Sequence, residues 1–154
     1  MLKVQISKGV DTQFNFVETA ESFFSEGFSC EENFVGDVEV VGKIIDDGSN
    51  LKIVGKIYCR KKFLCDRCLI ETEENQEHKF DEEIDESEIV DGLLDITELV
   101  RDTLIAAQPI KNLCKPDCKG LCPKCGQNLN QGECKCEKST IDPRFEILLD
   151  FEAV

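Results

Sequence analysis

Hydrophobic and polar positions alternate from the start of the chain. Leu2, Val4 and Ile6 share one face of a short strand, and Phe14 and Phe16 mark a second. Two β-rich runs follow, Val38 to Ile45 and Leu51 to Cys59, separated by Asp46-Asp47-Gly48-Ser49-Asn50. That intervening composition is a turn, so the two runs read as an antiparallel hairpin. In the second arm Leu51, Ile53, Ile57 and Cys59 fall on one face, while Lys52 and Lys56 point the other way. Further strand structure is expected from Lys61 to Ile70 and on toward Phe80.

The period then changes. From Leu94 to Gln108 the apolar residues Ile96, Leu99, Val100, Leu104 and Ala107, with Thr103, recur at helical spacing. Asp95 is placed to cap this helix, Glu98 stands three residues on in capping-box position, and Pro109 ends it. Near the C-terminus Asp142-Pro143 is an N-cap followed by proline, and Phe145, Leu148 and Leu149 continue a second, short helix to about Phe151. The pattern predicts an α+β fold: an antiparallel β-rich body over residues 1–110 with one packed helix. A Cys-rich zinc-binding segment over 111–154 follows, packed on the body and ending in the short helix.

Composition narrows the function. At 154 residues, 41% of them hydrophobic, the chain has enough apolar material for one core. Its net charge of −14 argues against broad binding to a phosphate backbone. The charge is unevenly placed. Residues 52–68 carry six Lys or Arg against Asp66, a net of +5, whereas residues 71–91 carry eleven acids against Lys79, a net of −10. Two candidate partner surfaces follow: a basic one at Lys56, Arg60, Lys61 and Lys62, and an acidic one at Glu73, Glu74, Glu77, Asp81, Glu82 and Glu83. No run approaches the about 18 apolar residues of a membrane span, and Met1-Leu2-Lys3 does not open a signal-peptide core. A cytoplasmic protein is expected, with no membrane partner.

In that reducing compartment ten cysteines read as metal ligands or redox thiols before disulfides. Six of them, Cys114, Cys118, Cys122, Cys125, Cys134 and Cys136, fall within 23 residues. Cys122-Pro123-Lys124-Cys125-Gly126 is a knuckle pattern: the two intervening residues let a tight turn aim both sulfurs at one ion, and Gly126 supplies positive φ. Cys134-Lys135-Cys136 adds a second pair for a four-cysteine zinc site, Cys122, Cys125, Cys134 and Cys136, with Cys114 and Cys118 as alternates or as ligands to a second, bridged ion; an iron–sulfur cluster and free or redox cysteines are the competing readings. Cys65-Asp66-Arg67-Cys68 is compatible with a redox pair, a metal half-site or a tight turn with two buried thiols. Cys30 reads as a small buried hydrophobe. His78, the one histidine, has no nucleophile arranged around it, and no phosphate-binding loop or HExxH motif occurs. No active site and no small-molecule substrate are expected.

CDRCL at 65–69, LDITELVRDTLIAAQPI at 94–110, CKGLCPKCGQNLN at 118–130, CKC at 134–136 and DPRFEILL at 142–149 follow one another in that order. Together they resemble the bacterial YceD-like family, over roughly residues 30 to 150. The resemblance implies a non-enzymatic factor needed for large-subunit (23S) rRNA to accumulate. Its partner would be the precursor of the large ribosomal subunit, met through a ribosomal protein or through precursor rRNA. The alternatives from other classes are a zinc-ribbon adaptor in transcription and a thiol oxidoreductase using Cys65 and Cys68.

Overall fold

The computed structural model describes residues 1–7, 9–23, 34–46 and 50–136. Cys30, the turn residues 47–49 and the C-terminal helix expected from Pro143 lie outside the described residues. Seven strands and one helix are present among them: β1 (Lys3–Gln5), β2 (Thr12–Thr19), β3 (Asp37–Asp46), β4 (Leu51–Leu64), β5 (Glu71–Ile84), β6 (Ile89–Val90), β7 (Leu93–Asp95) and α1 (Thr97–Ala106). They form an antiparallel four-stranded sheet in the order β2-β3-β4-β5 and a small antiparallel sheet in the order β1-β7-β6.

The expected hairpin is the β3–β4 pair, with Val40 opposite Ile57 and Ile44 opposite Ile53. Its inner face buries Val38, Val40, Ile44, Ile53, Ile57 and Cys59. Val4 of β1, Leu94 of β7, Val100 and Leu104 of α1, and the flanking Leu2 and Ile96 join the same core. The small sheet and the helix thus cover one face of the large sheet, as an amphipathic stripe on a half-polar sheet requires.

Across the large sheet runs the file Phe14, Gly42, Gly55, Phe80, one residue from each strand. A Cβ on Gly42 would stand 2.6 Å from the Phe14 ring and 2.6 Å from the Val54 carbonyl oxygen. The glycine pair therefore makes the room that the flanking aromatic rings fill.

Two expectations change. The helix begins at Thr97, because β7 draws Leu93–Asp95 into the small sheet against β1. Asp95 still serves the helix start: its Oδ1 accepts from the Thr97 backbone N–H at 3.0 Å and from the Thr97 hydroxyl. The reciprocal capping box lies instead at Asp85 and Glu88, on a single 3-10 turn. Secondly, the strand expected to continue from Lys61 to Ile70 ends at Leu64; residues 65–70 form a turn, and the acidic run from Glu71 to Ile84 is strand β5.

Candidate metal centre

β4 and β5 are each 14 residues long and pair along their whole length, a hairpin of about 45 Å. At its far end the turn carries Cys65 and Cys68. The segment after α1 crosses that end and brings Cys114 and Cys118 to them. Cys65 Sγ lies 3.8 Å from Cys118 Sγ, and Cys68 Sγ lies 3.6 Å from Cys114 Sγ. A tetrahedral ion with bonds of about 2.3 Å holds its sulfurs about 3.8 Å apart. Cys122, Cys125, Cys134 and Cys136 form a second group, and in each group the four sulfurs lie within 4.8 Å of one another. Both groups can hold a thiophilic metal ion. Cys114 and Cys118, the alternates for the C-terminal set, stand with Cys65 and Cys68 instead.

The crossing segment is fixed by hydrogen bonds. The Asp66 N–H donates to the Asn112 carbonyl at 2.8 Å, and the Asn112 N–H donates back to Asp66 Oδ2 at 2.7 Å. Lys61 Nζ donates to Asn112 Oδ1 at 2.7 Å. Arg67 Nη1 donates to the Cys118 carbonyl at 2.8 Å, and the Leu121 N–H donates to the Arg67 carbonyl at 3.1 Å. Gly120 sits with φ 76°, where a Cβ would come within 3.0 Å of that same Arg67 oxygen. Only glycine combines this backbone conformation with this approach.

Crowding of thiols shows in their protonation. Burial pushes the Cys65 thiol up, but backbone N–H groups of Cys114, Arg67 and Cys68 stabilise its thiolate and bring it down to about 6. Backbone N–H groups of Cys125 and Lys124 do the same for Cys122, also to about 6. Cys114 goes up to about 12, through burial and then its bond with Cys68; Cys136 goes up to about 12, through its bond with Cys125 and then burial. Each group favours some thiolates and penalises others, which is the electrostatic frustration that a bound cation relieves.

The two charge surfaces do not stand apart. The outer face of β4 presents Lys52, Lys56 and Lys62 directly beside β5, and each meets a carboxylate: Lys52 with Asp81 at 2.7 Å, Lys56 with Glu77 at 2.8 Å, and Lys62 with Glu71. Arg60 lies on the same exposed face of β4. Lys61, expected among the partner-facing residues, is a correction. Odd-numbered positions of β4 face the core, so its side chain is 1% exposed, on Asn112 and 5.4 Å from the centre of the Phe63 ring. Glu73, Glu74, Glu82 and Glu83 are exposed on β5 and enter no ion pair among the described residues. At the opposite end of the hairpin a cleft of about 690 Å³ is lined by Asp46, Asp85 and Glu86 with Leu51, Ile84 and Ile89. No helix among the described residues is long and apolar enough to cross a membrane.

A β-sheet protein whose longest hairpin ends in paired four-cysteine groups, with an acidic edge strand, is the class these observations define. The family described as "Large ribosomal RNA subunit accumulation protein YceD" matches residues 60–152, more than half of the chain, and the chain belongs to that family. An uncharacterized protein of Mycobacterium tuberculosis and one of Mycobacterium bovis are each 36% identical over 69 residues, 45% of this chain. The matched stretch spans 33% of those two relatives' own length. The "Large ribosomal RNA subunit accumulation protein YCED homolog 1, chloroplastic" of Arabidopsis thaliana is 39% identical over 52 residues, 34% of this chain and 16% of that protein. No solved structure matches significantly.

Proposed function

We propose that this protein is a non-enzymatic factor supporting large-subunit rRNA accumulation, and that it acts by binding a basic ribosomal protein of the precursor large subunit through strand β5. The family's description and the name of the Arabidopsis relative support the process. The observation that carries the partner class is the matching of charge across β4 and β5. Lys52, Lys56 and Lys62 are each held by a carboxylate, and Glu73, Glu74, Glu82 and Glu83 stand exposed beyond those pairs against Arg60 and Lys79, so the charge left over on that hairpin is acidic. Such a surface attracts a basic protein and repels a phosphate backbone.

Zinc at Cys122, Cys125, Cys134 and Cys136 is structural in this reading, closing a segment that has little apolar surface of its own. Burial of Cys65 and Cys68 supports binding over thiol exchange, which needs an accessible thiolate. The test uses the full chain with Glu73, Glu74, Glu82 and Glu83 changed to Gln. Its salt-dependent affinity for basic large-subunit ribosomal proteins should fall, while its affinity for free large-subunit rRNA should stay equal or rise. Loss of rRNA binding with protein binding intact would overturn the reading.

A further inference from the structure

Cys65-Asp66-Arg67-Cys68-Leu69 and Cys122-Pro123-Lys124-Cys125-Gly126 fold into the same loop. In the first, the Cys65 N–H donates to the Ile70 carbonyl at 2.9 Å and the Leu69 N–H donates to the Cys65 carbonyl at 2.8 Å. In the second, the Cys122 N–H donates to the Gln127 carbonyl at 2.8 Å and the Gly126 N–H donates to the Cys122 carbonyl at 2.8 Å. The residue after the second cysteine has positive φ in both, 56° at Leu69 and 73° at Gly126. For leucine this is a disfavoured backbone, and it persists where the surroundings over-determine it. The loop aims two sulfurs at one point, and Cys114 and Cys118 supply the other two at the spacing of a tetrahedral ion.

The second group depends on the first. Cys125 is exposed and Cys134 and Cys136 are half-buried, whereas Cys65, Cys68 and Cys118 are buried. Residues 119–131 are tied to the Cys65–Cys68 turn by the Leu121 N–H to the Arg67 carbonyl, and closed on themselves by the Leu129 N–H to the Gly120 carbonyl at 2.9 Å and the Lys119 N–H to Asn130 Oδ1 at 2.9 Å. Asn130 Nδ2 also donates to Cys118 Sγ at 3.3 Å, a direct bond from the second loop to a sulfur of the first group. Such a bond from an outer residue orients a metal-ligating thiolate and tunes it.

We infer that Cys65, Cys68, Cys114 and Cys118 form a second zinc site, closed and structural, and that the ion held there organises the C-terminal four-cysteine site through Asn130. The site stands on its own observations; the coupling rests on the zinc reading of Cys122, Cys125, Cys134 and Cys136. Linkage makes the coupling reciprocal, but the first group is the more deeply buried and is held between the β4–β5 turn and the segment after α1, so it should keep its ion when the outer one is lost.

Elemental analysis of anaerobically purified full chain, together with the rate of metal release to a chromogenic chelator, tests both parts. Wild type should carry two zinc ions per chain, one for each group. Cys134→Ser with Cys136→Ser should leave one, and Cys65→Ser with Cys68→Ser should lose the first ion and release the second much faster. Asn130→Ala should keep both ions but loosen the ion bound through Cys118 and release the outer one about tenfold faster. Should the Cys65/Cys68 variant fail to fold, wild-type stoichiometry and the Cys134/Cys136 variant still decide the site, and Asn130→Ala decides the coupling. A single ion in wild type that disappears with Cys134 and Cys136 would overturn the second site. A single ion that survives their loss would leave the site standing and remove the zinc reading of the C-terminal set. Iron in place of zinc would overturn the ion assignment, and unchanged outer-ion release in Asn130→Ala would overturn the coupling.

Discussion

Leu69 and Gly126 occupy the same place in two loops that share one hydrogen-bond pattern, each donating its N–H back to the first cysteine of a Cys-x-x-Cys at 2.8 Å. Their substitution should differ in size. A Cβ on Gly126 meets nothing within 4 Å, so Gly126→Ala isolates the backbone effect and should destabilise the outer loop by about 1 kcal/mol. Leu69→Gly removes an exposed side chain and a strained backbone, and should change stability by less than about 1 kcal/mol. Urea denaturation of the zinc-loaded protein checks both.

Lys61 is a buried anchor and Lys56 a surface charge, and their variants should separate cleanly. Lys61→Ala strands the Asn112 amide oxygen and frees the segment that carries Cys114; a loss of about 1–3 kcal/mol is expected. Lys56→Ala breaks an exposed, solvent-screened ion pair with Glu77 and should leave stability nearly unchanged. Equal effects in thermal or urea denaturation would contradict the burial assigned to Lys61.

The glycine pair in the centre of the sheet should resist enlargement. Gly42→Ala places a methyl group against the Val54 carbonyl oxygen and the Phe14 ring, where the backbone half of the clash cannot rotate away. Overpacking of this kind costs about 1–3 kcal/mol, more than the gain of alanine over glycine in a strand. The double variant Gly42→Ala with Phe14→Leu should recover part of the loss in the same measurement.

Stability should also fall in alkali. Burial pushes the Cys59 thiol up to about 11 from its ordinary 9.0, with Lys61 pulling weakly the other way. The folded chain therefore keeps a proton that the unfolded chain gives up. Its contribution is whole below pH 9.0 and is lost as the pH rises toward about 11. Urea midpoints at pH 8 and pH 10.5 should show the decline, and Cys59→Ala should flatten it.

Much of this architecture was legible in local pattern. Strict alternation placed Ile53, Ile57 and Cys59 inward, and the same parity extended two residues further places Lys61 inward as well. Charge type obscured that signal, since a lysine in a basic run reads as surface. The strand–turn boundary at Leu64 was less visible, because β5 has few apolar residues to mark its period. Grouping of the cysteines depended on long-range geometry. Short spacing alone joins Cys122, Cys125, Cys134 and Cys136, but Cys114 and Cys118 meet partners 46 and 53 residues away. Nothing local announces that the β4–β5 turn and the segment after α1 arrive at one point. The opposed charge runs looked like two surfaces for the same reason: they become one only when β4 and β5 pair.

The proposed function rests on the acidic strand β5 binding a basic ribosomal protein, and sedimentation tests it most directly. Wild-type chain in cell extract should travel with precursor large subunits on a sucrose gradient, and the Glu73→Gln, Glu74→Gln, Glu82→Gln, Glu83→Gln variant should shift to the top while keeping its fold and its metal content. Undiminished co-sedimentation of that variant, with loss on reversing Lys56, Arg60 and Lys62 to Glu, would contradict the account and put direct rRNA contact in its place.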